Sequence, residues 1–222
     1  MKTQGTILIL SILMLGMFGC KKPEGKKTEA KEAQEVKKEQ TAGADTYKIQ
    51  PPESELHWTG TKPTGQHNGT VNIKEGTIKM NDQGLQNATV IFDMTEIVNK
   101  DLEKENMKKK LEDHLKSKDF FDVKNHPEAK FELTNASKIE GEGNEFTHNI
   151  SGNLTIKDIS KNISFKVKVK EQEEKIAIHS EKFLIDRTKW DVNYKSKSVF
   201  DDLKEGFIHD DIEIELTTVA KK

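Results

Sequence analysis

Between Asn162 and Lys170 the chain alternates without a break. Ile163, Phe165, Val167 and Val169 interleave with Asn162, Ser164, Lys166, Lys168 and Lys170. A period of two puts the first set on one face of an extended strand and the second on the other. The segment must therefore bury one face and wet the other. The same pattern recurs in Ala88-Val90-Phe92-Met94, Ile150-Gly152-Leu154-Ile156 and Ile212-Ile214-Leu216. Shorter versions are Leu56-Trp58, Val71-Ile73, Ile78-Met80, Phe131-Leu133 and Ile176-Ile178. Turn signals separate them, at Lys62-Pro63-Thr64-Gly65, Glu75-Gly76, Asn81-Asp82-Gln83-Gly84 and Glu140 to Asn144. Many short strands at this spacing predict an all-β antiparallel meander.

One stretch breaks the period. From about residue 99 to 118, Met107, Leu111 and Leu115 fall at i, i+4 and i+8, one face of a helix packed on the sheet or capping its end. The apolar strand faces can be hidden either by closing the sheet into a barrel or by stacking two sheets. Alternation alone admits both. Closure at about eight strands leaves an interior that is filled by side chains or able to hold one small ligand.

Ahead of the strands lies a different kind of sequence. An apolar run of roughly 12 residues, from Ile7 to Phe18, follows Met1-Lys2 and ends at Gly19-Cys20, too short for the about 20 residues of a membrane-spanning helix. It reads as a secretion signal, residues 1–19. Cys20, the only cysteine of the 222 residues, then becomes the lipidated first residue of an exported lipoprotein facing the periplasm or cell surface. Residues 21–45 are Lys, Glu, Ala, Gln and Thr with almost no bulky apolar side chain, and predict a flexible, solvated tether over 20–45. A barrel or sandwich domain then occupies 46–222.

The chemistry-bearing residues do not converge in sequence. A net charge of −2 excludes the basic balance of a nucleic-acid-binding protein. None of the seven histidines makes an H-x-H or H-E-x-x-H pair, so no metal site and no cofactor are expected. Gly60 to Gly69 is glycine-rich but lacks the G-K-[ST] ending and following helix of a phosphate loop. His57 lies opposite in parity to Trp58 and should face solvent. His67 shares parity with Val71 and Ile73, which predicts a hydrogen-bonded wall residue near a barrel mouth. Asp186 to Asp191 predicts either a charge-paired turn with Trp190 folded over the rim or a polar lip for a ligand head group. Phe120-Phe121 read as anchors fixing the helix end. No catalytic residue is expected.

Three segments together resemble the YceI-like, polyisoprenoid-binding family. They are Trp58-Thr59-Gly60-Thr61-Lys62 with Gly65, His67-Asn68-Gly69 and Val71; His114 to Val123 with His126-Pro127 and Phe131; and Gly152 to Lys161. The resemblance spans about residues 46–219. It implies a lipocalin-like antiparallel barrel of about eight strands, with one helix inserted near 99–118 and an apolar cavity for a long isoprenoid chain. On that basis the parity of the strands nominates Trp58, His67, Val71, Ile73, Val90, Phe92, Phe131, Leu154, Phe165, Val167 and Ile178 as ligand-contacting. The expected partners are a long-chain isoprenoid or other amphiphilic lipid, held for sequestration, transport or storage, and the membrane through Cys20. Assembly stays open between a single chain and a homodimer. A second reading is a structural or interaction lipoprotein with a filled barrel that binds a protein partner, and cavity volume separates the two.

Overall fold

The computed structural model describes residues 23, 25–36, 43–141, 143–204 and 206–222; the expected signal segment and Cys20 lie outside them. The elements in order are β1 (Lys26–Lys27), β2 (Lys31–Glu32), β3 (Asp45–Ile49), β4 (Glu55–Lys62), β5 (Gly65–Asn81), β6 (Gly84–Asn99) and α1 (Glu105–Lys116). They continue as β7 (Glu128–Lys138), β8 (His148–Ile156), β9 (Ile159–Gln172), β10 (Lys175–Ser180), β11 (Phe183–Asp186) and β12 (Asp211–Lys221).

From β4 to β10, strands consecutive in the chain pair antiparallel, and β12 closes the ring. One edge of β12 pairs with β10 and β11, the other with β3 and β4 lying end to end. The result is an all-β barrel with eight strand positions and one described α-helix, a lipocalin-like fold. Closure leaves the ring without a free edge over most of its length. Alternation decides what points inward. On β9, Ile163, Phe165 and Val167 are buried in the central core while Ser164 is exposed.

One expected turn is absorbed into a continuous strand. Glu75-Gly76 does not end a strand, because β5 runs unbroken past it and shifts register between Ile73 and Glu75. The bulge resets parity, so Val71 and Ile73 point inward before it and Ile78 and Met80 after it. A second shift pairs Val71 with Ile97 but Asn72 with Asp93, letting Met94 and Ile97 both face the core.

Residues 25–36 depart from the expected solvated tether. β1 pairs in parallel with β11, and β2 pairs antiparallel with β9 at Asn162 and Lys161. The reason lies in the barrel wall, which forks where β9 leaves β10 for its last shared pair, Val167 with Ser180. Beyond the fork β9 and β11 do not pair with each other, and Thr28 bridges them. Its N–H donates to the Leu184 carbonyl at 2.9 Å, and its hydroxyl accepts from the Ser164 N–H at 3.0 Å. Gln34 completes the seam through two bonds with the Asn153 side chain. Lys27–Asp211 and Glu32–Lys161 ion pairs flank it. Docking of this kind draws on backbone hydrogen bonds and needs no apolar pattern, which is why composition pointed elsewhere. Gly25 enters the seam at φ +118, where a Cβ would sit 2.8 Å from the Lys182 carbonyl oxygen.

Candidate functional site

The barrel is not filled. A cavity of about 490 Å³ occupies one end of it, within the range of small-molecule sites. Its wall comes from the inward positions of the strands: Trp58 on β4, Val71 on β5, Phe92 on β6, Phe131 on β7, Leu154 on β8 and Phe165 on β9. The open end is framed by α1, by Phe120-Phe121 and by the chain between β11 and β12.

The helix covers this end through the predicted face, but only in part. Leu111 and Leu115 line the cavity, whereas Met107, one turn earlier, does not and is 49% exposed. Phe120, buried, and Phe121 anchor the helix exit; Phe120, His114 and Tyr194 pack ring against ring, tying α1 to the loop after β11.

His67 lies in the wall near the mouth, and its Nδ1 is 2.8 Å from Asp101 Oδ2. Burial pushes the Asp101 carboxyl up, but bonds from the Asn68 N–H, His67 and the Asn99 amide together hold it below the ordinary carboxylate value. Asn99 is fully buried. Its amide also donates to the Asn68 carbonyl, and its backbone N–H donates to Glu112 of α1. This knot fixes the helix to the strand ends. Sequence reading missed Asn99 and Asp101, since isolated polar residues at strand ends carry no periodic signal.

Arg187 and Trp190 close the other side of the mouth from a 3-10 turn at Arg187–Trp190. Trp190 is fully buried and its indole N–H donates to the Leu154 carbonyl at 2.9 Å. It is thus a wall residue, not a flap over the rim. Arg187 is 3% exposed, and its guanidinium donates to the carbonyls of Val192, Ile208 and His209 and to Asp210. Burial lowers its pKa, and the carboxylates of Asp210 and Asp186 counter only part of that effect. Its donors are committed to shaping the lip. Thr61 offers the opposite case: its buried hydroxyl lines the cavity and, among the described residues, has no hydrogen-bond partner.

Of the residues nominated from sequence, Trp58, His67, Val71, Phe92, Phe131, Leu154 and Phe165 meet in this cavity. Ile73 is packed in the core away from it. Val90, Val167 and Ile178 lie deeper, around a separate void of about 30 Å³. Parity identifies which residues face inward but not how far along the axis the space remains open. His57 is exposed and pairs with Glu55.

The YceI-like domain matches residues 47–220. The chain belongs to the YceI-like family. Among solved structures it is similar to Burkholderia cenocepacia BcnA, with 21% identity over 78% of this chain and 99% of that one, TM-score 0.59. It is also similar to a polyisoprenoid binding domain from Saccharophagus degradans implicated in plant cell wall breakdown, with 11% identity over 79% and 97% of the two chains, TM-score 0.55. The Campylobacter jejuni YCEI protein shares 20% identity over 68% and 84%, TM-score 0.50. These likenesses establish a shared barrel. No curated protein matches the chain. The barrel of this YceI-like chain is the fold of a binding-protein family.

Proposed function

We propose that this YceI-like protein is a membrane-anchored lipid-binding protein that holds an isoprenoid chain in its barrel. The observation that carries the reading is the apolar cavity of about 490 Å³, walled by inward strand residues and open at one end. A filled barrel serving only a protein partner would not keep that space. Uptake is hydrophobic transfer, worth about 25 cal/mol for each Å² of apolar surface removed from water. The head group stays at the mouth, where Thr61, His67, Lys62 and Lys195 are among the polar wall residues. The Saccharophagus degradans neighbour, described as polyisoprenoid binding, supports an isoprenoid as the chain.

Anchoring belongs to the same proposal. With Gly25 seated in the seam, the five residues from Cys20 reach at most about 18 Å. The lipid on Cys20 then holds the barrel close against the bilayer rather than at the end of a long leash, and raises its local concentration there.

Both tryptophans of the chain, Trp58 and Trp190, line the cavity. Titration with a polyprenol should therefore change intrinsic fluorescence saturably, while a soluble sugar of similar size should not. Fluorescence that never responds to any prenol contradicts the proposal.

A further inference from the structure

We propose that Phe131 and Phe165, with Leu216, form a floor across the barrel that limits the length of hydrocarbon chain the cavity accepts. This rests on the lipid-binding reading and adds the determinant of chain length.

Alternation lets the interior be followed strand by strand from the mouth downward. On β6, Met94 and Phe92 line the cavity, and the next inward residues, Val90 and Ala88, line the separate void. On β9 the order is Ile163 and Phe165 above, Phe165 and Val167 below. On β12 it is Ile214 and Leu216 above, Leu216 and Thr218 below. On β7 Phe131 belongs to both spaces. One apolar tube is thus divided at a single level, by the three side chains the two spaces share.

The division is made by rings. Phe131 and Phe165 have centroids 5.7 Å apart at 52°, and Phe165 stacks on Phe183 at 4.2 Å and 7°. All three are at most 5% exposed. Between Phe131 and Phe165, β8, the strand that pairs with both β7 and β9, carries Gly152 at the inward position between Leu154, which lines the cavity, and Ile150, which lines the void. A Cβ at Gly152 would collide with the Phe131 ring. The missing side chain lets that ring lie across the tube. The void beneath, at about 30 Å³, holds no ligand by itself. A chain entering from the mouth stops at the rings.

The test is the dependence of affinity on prenol length, from farnesol upward, for the wild type, Phe165→Ala, Ala88→Leu and the double variant. For the wild type, affinity should rise with each isoprene unit and then level off. Phe165→Ala joins the void to the cavity, so levelling should move to longer prenols. The first prenol beyond the wild-type limit should then bind about tenfold tighter or more, since even one buried methylene discriminates by roughly that factor. Ala88→Leu fills the void and should leave the wild-type limit unchanged, whereas added to Phe165→Ala it should restore it. Should Phe165→Ala fail to fold, Phe165→Leu carries the test, with a smaller move in the same direction. A limit that is the same in the wild type and the folded Phe165 variant overturns the floor. So does a limit shortened by Ala88→Leu alone, because the chain would then already pass the rings. A wild type that binds no prenol of any length overturns the lipid-binding reading and the floor with it, and that outcome is distinct from binding with an unmoved limit.

Discussion

At the residue scale, buried polar groups divide into those whose bonds are complete and those that are not. Arg187 is complete: its guanidinium donates to three carbonyls and a carboxylate, and these bonds hold the lip together. His148 is incomplete. It is 8% exposed at the strand start of β8, its Nδ1 lies 2.8 Å from the Thr147 hydroxyl, and its Nε2 has no partner among the described residues. Burial first, and the Lys138 charge second, lower its pKa below the ordinary 6.5. The sign follows from linkage. Above about pH 6.5 both folded and unfolded forms carry a neutral ring, and as pH falls the unfolded chain takes up the proton first. The stability contributed is therefore present above that pH and lost as pH falls toward the folded value. His148→Leu should flatten this part of the profile, so that the melting temperature falls less between pH 7 and pH 5 than in the wild type. An unchanged slope would place the titration elsewhere.

At the element scale, the seam is where folding departs most from what composition implies. Residues 25–36 contain no strong apolar pattern, yet they complete the wall between β9 and β11 because unpaired backbone groups there need partners. Thr28→Val keeps the N–H bond to Leu184 and the side-chain volume but removes the acceptor for the Ser164 N–H. It should cost about 1–3 kcal/mol if that donor is left without a partner, and speed hydrogen exchange at Ser164 before the rest of β9. Equal exchange at Ser164 in both proteins would mean that the segment does not hold the seam.

The strands themselves were legible because period two is imposed by backbone geometry and read directly in Ile163-Phe165-Val167. The helix was legible from Leu111 and Leu115. What could not be read were the bulges after Ile73 and around Asp93, the closure of β12 on β3 and β4, and the docking of Thr28. All of these depend on which strand lies alongside, and alternation records only which face each residue takes. The same limit explains the site: inward residues such as Val90 and Ile73 were indistinguishable from Phe92 until the packing along the axis fixed where space remains.

At the scale of the whole molecule, the proposed anchor, the docked segment and the cavity act as one device. On the proposed function, a lipid on Cys20 would bring the barrel to the bilayer, the seam would shorten the leash, and the open end would receive the chain. Replacing Cys20 with Ser should release the protein from membranes and slow prenol uptake from vesicles, while leaving affinity for detergent-solubilised prenol unchanged. Loss of affinity in detergent as well would separate the anchor from the role given to it.

The central claim is that the apolar cavity of about 490 Å³ is kept for a prenyl lipid. Native mass spectrometry of the purified barrel domain, before and after incubation with polyprenols, tests it most directly. The account predicts a complex of one prenyl lipid per chain, carried through purification or formed on mixing, and displaced on addition of a competing prenol. A barrel that is empty as purified and takes up no offered polyprenol would contradict it.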